Sequence, residues 1–223
     1  KPKFIKIASM DLNNYPFIEY ISKKKLPIVI STGLSHLYEL DKAIKIIEKN
    51  NKQIIIMHCI ANYPPKDSEI NLNNIKTLSK LYPYPIGFSD HSIGFSIPLA
   101  AIAMGAIIIE KHFTLDKNMF GWDHKVSATA DELKIICDQS KRVIKSLGSF
   151  NITVPESKNK IREFRRSIVI NKDINKGERI KHEDLDFKRP GRGISPENIE
   201  FVINRRLKLD KKKDDILYKM DLD

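Results

Sequence analysis

The chain has 223 residues, 41% of them hydrophobic and 8% aromatic, which is enough apolar material for a core in one or two domains. Its net charge of +11 is spread along the chain, with 19 basic and 14 acidic residues after residue 154 and 20 basic and 14 acidic before it. Such mixing is typical of a solvated lysine-rich surface, so we expect no nucleic-acid binding. The chain lacks a membrane-length apolar run and its start lacks a signal peptide, which predicts a soluble, cytoplasmic protein with no membrane partner.

Short β-branched runs alternate with longer stretches of helical spacing. The runs predicted as strands are 4–8, 28–30, 54–57, 86–88 and 107–109. Between them, apolar residues recur every three to four positions within 37–47, 75–81 and 133–147. This rhythm predicts a parallel α/β sheet with helices packed on it.

A closed barrel of this kind needs eight strands, and the pattern provides five before it changes near residue 150. We therefore predict a TIM-type (βα)8 barrel, truncated here to about its last five βα units over residues 1–150. Because such a sheet exposes its edges, we expect residues 1–223 alone to be poorly stable and nearly inactive. The alternative is an open five-stranded sheet, but residues 1–30 contain no glycine-rich loop of a doubly wound nucleotide-binding fold.

The character of the chain changes after residue 150. Residues 151–166 are polar and charged, and we predict a linker that includes a short basic helix. Short strand-like runs at 167–170 and 185–188, with a turn at 176–178, follow. They predict a second, small, mostly β domain over residues 167–223.

Polar or reactive residues stand where each predicted strand ends. They are Ser9, Ser31-Thr32-Gly33, His58, Ser89-Asp90-His91 and Glu110-Lys111-His112. Serines and glycines at single strand ends often only make turns. In parallel βα folds, however, the carboxyl ends of the strands form the active face, so five such endings indicate one site.

The last two strand ends carry residue types that bind metals. Alternation along the strand puts Glu110 and His112 on one face and Lys111 on the other. His91 ends the neighbouring strand, about 4.8 Å away, so the two imidazoles can converge on one divalent first-row ion. The alternative is that both histidines are simply hydrogen bonded at the mouth of the barrel.

Several segments resemble the sialic acid synthase family, the nonulosonic acid synthases that use phosphoenolpyruvate. The residues that carry the resemblance are Ser89-Asp90-His91-Ser92-Ile93-Gly94, Ile109-Glu110-Lys111-His112-Phe113-Thr114-Leu115-Asp116, Asp123-His124, Ser127, Ile30-Ser31-Thr32-Gly33, His58-Cys59, Tyr63-Pro64, Lys188-Arg189-Pro190-Gly191 and Gly193-Ile194. The resemblance covers essentially the whole chain and implies barrel strands four to eight followed by an antifreeze-like (SAF) domain.

The resemblance implies an enzyme that condenses phosphoenolpyruvate with N-acetylmannosamine or a related 6-deoxy diacetamido sugar. The product would be a nine-carbon 2-keto acid of the sialic, legionaminic or pseudaminic type, with release of phosphate. It also implies that His91 and His112 hold a divalent ion, Mn²⁺ or in its place Mg²⁺ or Co²⁺, and that Glu110 works with them in catalysis. The family forms homodimers in which the SAF domain covers the partner's active site.

The resemblance also implies the substrate contacts. Ser31, Thr32 and Ser89 would donate hydrogen bonds to phosphoenolpyruvate, and Tyr63 belongs to a segment beside the substrate. Asp123 matches a contact to a sugar hydroxyl, and Arg189 matches an arginine that reaches the sugar's acyl group.

Three other interpretations remain open. The first is a related enzyme that makes a sugar for another surface or spore-coat polysaccharide, and the second is a non-catalytic carbohydrate-binding remnant. The third is a metal-dependent aldolase or hydrolase on the same scaffold. One departure concerns the phosphate site: Leu26 stands where the family commonly has a lysine.

Overall fold

Five parallel strands form one sheet in the computed structural model, which describes residues 1–223. Their order in the sheet is their order in the chain, and they are β1 (Ile5–Ile7), β2 (Ile28–Ser31), β3 (Ile54–Cys59), β4 (Ile86–Asp90) and β5 (Ile109–Lys111). This confirms the five predicted strands and the parallel sheet. The register of the last strand with β4 begins at Phe88 and Ile109, two residues later than predicted, and a hydrogen bond from the Ile107 amide to the Ile86 carbonyl precedes it.

Six helices belong to the same part of the chain: α1 (Tyr15–Ser22), α2 (Leu37–Glu48), α3 (Asp67–Ile70), α4 (Asn73–Leu81), α5 (Ser96–Ala103) and α6 (Ala130–Leu147). Helical spacing predicted α2, α4 and α6. The first turn of α6 is fixed by a capping box, in which Thr129 accepts from the Glu132 amide and Glu132 accepts from the Thr129 amide.

The sheet has an apolar face and a mixed face. Alternate strand residues pack against the helices in one hydrophobic core, including Ile7, Ile28, Ile30, Ile54, Ile56, Ile86 and Phe88. The residues between them point the other way, to what we call the inner face: Lys6, Val29, Ser31, Ile55, Met57, Cys59, Gly87, Ser89 and Glu110. A side chain at Gly87 would collide with Met57, so the glycine makes room for that buried methionine.

One contact shows that the sheet is strongly curved. The Lys6 ammonium, on β1, lies 3.0 Å from the Glu110 carboxylate, on β5. In a flat sheet these strands would be about 19 Å apart, farther than a lysine and a glutamate reach together. The sheet therefore bends into a half-barrel around the inner face, as the predicted barrel segment requires.

The second compact unit covers Phe150–Asp223, and the first covers Lys1–Ser149. The predicted linker belongs to this second unit and contains α7 (Lys158–Phe164). Antiparallel strands β6 (Ser167–Ile170) and β7 (Leu185–Lys188) and the short helix α8 (Ile199–Val202) follow.

The core of the second unit is small and aliphatic. It contains Ile168, Ile170, Ile174, Ile180, Leu185, Ile194, Val202, Leu207, Leu217 and Leu222. Beyond the β6–β7 pair, the β structure of this unit consists of isolated bridges, such as Leu207 with Leu222. None of the helices in either unit combines the length and apolar character needed to cross a lipid bilayer.

Candidate functional site

The inner face ends in a cluster of aromatic rings. The His91 and His112 rings, which we call the histidine pair, have centroids 5.3 Å apart. Tyr63 contacts both rings: it is tilted against His91, with centroids 4.1 Å apart, and in an edge arrangement with His112, with centroids 5.6 Å apart. The Asp123 carboxylate also lies near His112, with Oδ2 3.8 Å from Nδ1. The structure thus brings four of the predicted site residues together.

The hydrogen bonding of His91 leaves one ring nitrogen available. Its Nδ1 lies 2.8 Å from the Ile60 carbonyl oxygen, which only accepts, so Nδ1 carries the proton. Burial lowers the pKa of His91 more than this hydrogen bond raises it, which favours the neutral ring. A neutral ring with Nδ1 protonated presents the Nε2 lone pair, the form in which histidine binds metals.

The fit to a metal ion rests on these two imidazoles. No group of three His, Cys, Asp or Glu side chains is arranged to hold an ion. Glu110 in particular does not complete such a group, because its carboxylate is held by other partners. The protein would therefore supply two nitrogen ligands, and the remaining positions would be open to oxygen atoms of substrate or water.

Glu110 lies at the centre of a second polar group on the inner face. Its carboxylate accepts hydrogen bonds from Ser89, at 2.8 Å, and from Lys6, at 3.1 Å. Burial alone would raise the pKa of Glu110, but these two hydrogen bonds and the positive charge of Lys6 outweigh it and lower the pKa. Glu110 is therefore ionised at neutral pH.

Lys6 and Cys59 are residues of this group that the sequence interpretation missed. Lys6 supplies a cation on the inner face, where Leu26 had left the predicted phosphate site without one. A signal was present in the sequence: Lys6 alternates with isoleucines in the first predicted strand, and the strands of parallel sheets are usually apolar on both faces. Cys59 is buried, and burial raises the pKa of its thiol, which keeps it protonated.

The two residues at the end of β2 differ from each other. Ser31 is buried, and its hydroxyl has no hydrogen-bond partner. The Thr32 hydroxyl instead donates to the Met57 carbonyl at 3.1 Å. A buried hydroxyl without a partner is costly, so Ser31 is the better candidate to contact a ligand.

The loop between β5 and α6 is anchored at its base and open at its tip. At the base, the Thr114 hydroxyl is hydrogen bonded to His124 Nδ1 at 2.7 Å, and Ser127 donates to the Asp123 carbonyl at 2.7 Å. At the tip, the side chains of Phe120 and Trp122 are fully exposed. This loop holds Asp123 near His112.

Arg189 belongs to the second unit. Its guanidinium lies over the Phe164 ring, 5.6 Å from the centroid. The neighbouring Arg192 forms an ion pair with Glu163 instead. Arg189 is therefore the arginine of this segment without a carboxylate partner among the ion pairs of the structure.

Relatives match both units of the chain. Residues 1–151 match the NeuB family, and residues 165–223 match the SAF domain. The chain is 45% identical over 219 residues to an uncharacterised protein of Methanocaldococcus jannaschii, covering 97% of this chain and 65% of that protein. It is 38% identical over 219 residues to the N,N'-diacetyllegionaminic acid synthase of Campylobacter jejuni, with 96% and 66% covered.

A solved structure supports the same assignment. The crystal structure of an N-acetylneuraminic acid synthetase from Leptospira borgpetersenii is 37% identical, with a TM-score of 0.67 over 71% of this chain and 55% of that one. The chain spans slightly less than two thirds of the length of the two curated relatives. The family match covers the whole parallel sheet with its inner-face residues. The resemblance found in the sequence is therefore confirmed, and the chain belongs to the NeuB family of nonulosonic acid synthases and carries a SAF domain.

Proposed function

We propose that the protein condenses phosphoenolpyruvate with the open-chain aldehyde of an N-acetylated hexosamine. The methylene carbon of phosphoenolpyruvate forms a bond to the aldehyde carbon, water adds at C2, and phosphate leaves, which gives a nine-carbon 2-keto acid. The observation that carries the proposal is the histidine pair standing beside the Lys6–Glu110–Ser89 group on one curved face. A relative named as a legionaminic acid synthase supports the class of sugar.

The histidine pair would hold the divalent ion, which we propose to be Mn²⁺, with Mg²⁺ and Co²⁺ as alternatives. Such an ion is suited by imidazole ligands that leave some of its coordination positions open. The hydrogen bond of His91 Nδ1 to the Ile60 carbonyl also leaves Nε2 as the ligand atom. When bound, the ion would supply Lewis-acid chemistry that polarises the aldehyde carbonyl.

The Lys6–Glu110–Ser89 group would receive the anionic substrate. Phosphoenolpyruvate carries a phosphate and a carboxylate, and Lys6 is the cation that the inner face offers to them. Ser31 and Ser89 add hydroxyl donors, of which Ser31 has no competing partner. Before substrate binds, the ionised Glu110 neutralises Lys6 and keeps both Lys6 and Ser89 oriented.

The experiment that tests the proposal measures phosphate release from phosphoenolpyruvate by the protein expressed from its complete gene. It is run with and without Mn²⁺, over a panel of N-acetylated hexosamines, for wild type and for His112→Ala. His182→Ala is the matched control, because that histidine is exposed and lies in the second unit. Release that needs the ion, one sugar and His112 but not His182 is expected. A folded, ion-loaded protein that releases no phosphate with any sugar would contradict the proposal.

We further propose a domain-swapped homodimer in which Arg189 of one subunit serves the sugar site of the other. Mixing two inactive variants, His112→Ala and Arg189→Ala, tests this arrangement. If the site is shared, each mixed dimer contains one site with both residues intact, so activity returns. If Arg189 acts within its own subunit, every site in the mixture lacks one residue and activity stays absent.

A further inference from the structure

A buried ion pair lies on the opposite side of the strands that carry the histidine pair. The Lys111 ammonium is 2.7 Å from the Asp90 carboxylate, and the two side chains are only 3% and 0% exposed. Lys111 also donates to the Ser92 carbonyl at 2.6 Å, and Asp90 accepts from the Ser92 amide at 2.9 Å. We call Asp90 and Lys111 the buried pair.

Stability alone does not explain a pair of this kind. Removing two charges from water is costly, and replacing a buried ion pair by apolar side chains of similar volume is often neutral or stabilising. Such a pair does raise the free energy of every alternative structure in which the two charges are separated. The position of the buried pair in the sheet shows which structure it favours.

Each member of the buried pair directly precedes one histidine of the histidine pair. Asp90 and Lys111 are also register partners between β4 and β5. Because side chains alternate along a strand, a slip of one residue would turn His112 away from the inner face. The same slip would separate Lys111 from Asp90 and leave buried charges unpaired.

The register of the last strand, β5, is otherwise weakly fixed. This strand has three residues, only three register partners, and a single neighbour in the sheet. Its one apolar residue, Ile109, is only half-buried, so apolar burial specifies the register of this strand weakly. We propose that Asp90 and Lys111 are positioning residues, which lock β5 to β4 and thereby hold His91 and His112 at the separation that one ion requires. The role in ion binding rests on the proposed function; the role in placing the two rings does not.

The test replaces the pair by apolar residues of similar volume, Asp90→Leu with Lys111→Met, in the protein expressed from its complete gene. The matched control is Asp221→Leu with Lys211→Met, since Lys211 and Asp221 form the corresponding buried pair of the second unit, 2.8 Å apart with side chains 6–10% exposed. Both double variants are compared with wild type after circular dichroism has established their folded fraction.

Two readouts follow. The first is the ring-nitrogen NMR spectrum of the metal-free protein, in which we expect His91 to lose its single tautomer, and the His112 resonances to shift, only in the Asp90/Lys111 variant. The second is Mn²⁺ affinity, which we expect to fall about 10- to 100-fold in that variant and to stay unchanged in the control.

The outcomes separate this inference from the proposed function. A folded Asp90/Lys111 variant with unchanged histidine spectra overturns the positioning role. Altered spectra in a protein whose wild type binds no ion support the positioning role and contradict the metal site. If the apolar double variant does not fold, Asp90→Asn with Lys111→Gln removes both charges while keeping a hydrogen bond, and unchanged histidine spectra in it overturn the inference equally.

Discussion

Two lysine–carboxylate pairs involve the last strand, β5, one on each face of the sheet. On the inner face, Lys6 and Glu110 join the first strand to the last, and their side chains are 25% and 43% exposed. On the helix-facing side, Lys111 and Asp90 join neighbouring strands and are almost completely buried. The contrast teaches that burial decides what such a pair can do: an accessible pair can exchange partners with a charged substrate, whereas a buried pair cannot.

The largest difference should appear when one lysine is removed from each pair. Lys111→Met leaves Asp90 charged, buried and unpaired, and we expect it to reduce the free energy of unfolding by about 3–5 kcal/mol. Lys6→Met breaks a pair that water reaches, and we expect a loss below about 1 kcal/mol. Urea unfolding of both variants measures this, and equal losses would contradict the assigned difference between the faces.

The next effect concerns the packed part of the inner face. A methyl group at Gly87 would lie 2.3 Å from the Met57 sulfur and 2.9 Å from the Ile108 carbonyl oxygen. We expect Gly87→Ala to cost about 1–3 kcal/mol, measured by thermal unfolding, because the sheet cannot move away from its own backbone. Adding Met57→Ala should recover only part of the stability lost in Gly87→Ala. Full recovery would mean that the Ile108 carbonyl does not clash with the added methyl group.

Glu110→Gln should separate stability from activity. Glutamine keeps an oxygen that accepts from Ser89 but loses the charge that holds Lys6, so we expect a change in unfolding free energy below about 1 kcal/mol. Phosphate release should nevertheless fall by at least tenfold if this group serves the substrate. Steady-state rates and urea unfolding on the same preparation measure both, and an active variant would remove Glu110 from the site.

The smallest expected effect is a pH dependence of stability, which arises from His58 on the helix-facing side of the sheet. Burial lowers the pKa of His58 from its ordinary 6.5, against the hydrogen bond to the Ile70 carbonyl that would raise it. Below pH 6.5 the unfolded chain takes up a proton there that the folded chain does not, so stability is complete above 6.5 and falls as the pH is lowered. Thermal unfolding between pH 5 and 8 should show a shallower fall for His58→Gln than for wild type; identical slopes would argue against a buried neutral His58.

Much of the first unit could be predicted from local patterns. Alternation and helical spacing predicted the five strands and the helices α2, α4 and α6, and alternation put Glu110 and His112 on one face with Lys111 on the other. Helix α5 has no such signal, because its sequence, Ser-Ile-Pro-Leu-Ala-Ala-Ile-Ala, is apolar on every side. The start of β5 was predicted two residues early, although the Ile107 amide already donates to the Ile86 carbonyl of β4.

The site was predicted less completely because some contacts depend on curvature and register. Lys6 and Glu110 are 104 residues apart in the chain and four strands apart in the sheet, so only the bend of the sheet brings them together. The pairing of Asp90 with Lys111 likewise depends on the register between β4 and β5, which cannot be read from the sequence of either strand alone. The proposed metal and substrate contacts remain predictions that the experiments above test.

The exposed tip of the β5–α6 loop offers a way to watch the site without a label. Trp122 is the single tryptophan of the chain, it is 97% exposed, and it directly precedes Asp123, which faces His112. Its fluorescence should therefore be that of an indole in water, and no other tryptophan of residues 1–223 contributes to it. Any ligand that orders this loop or covers the indole will shift or quench that emission, so a fluorescence titration can test whether the proposed ion, phosphoenolpyruvate and sugar each bind.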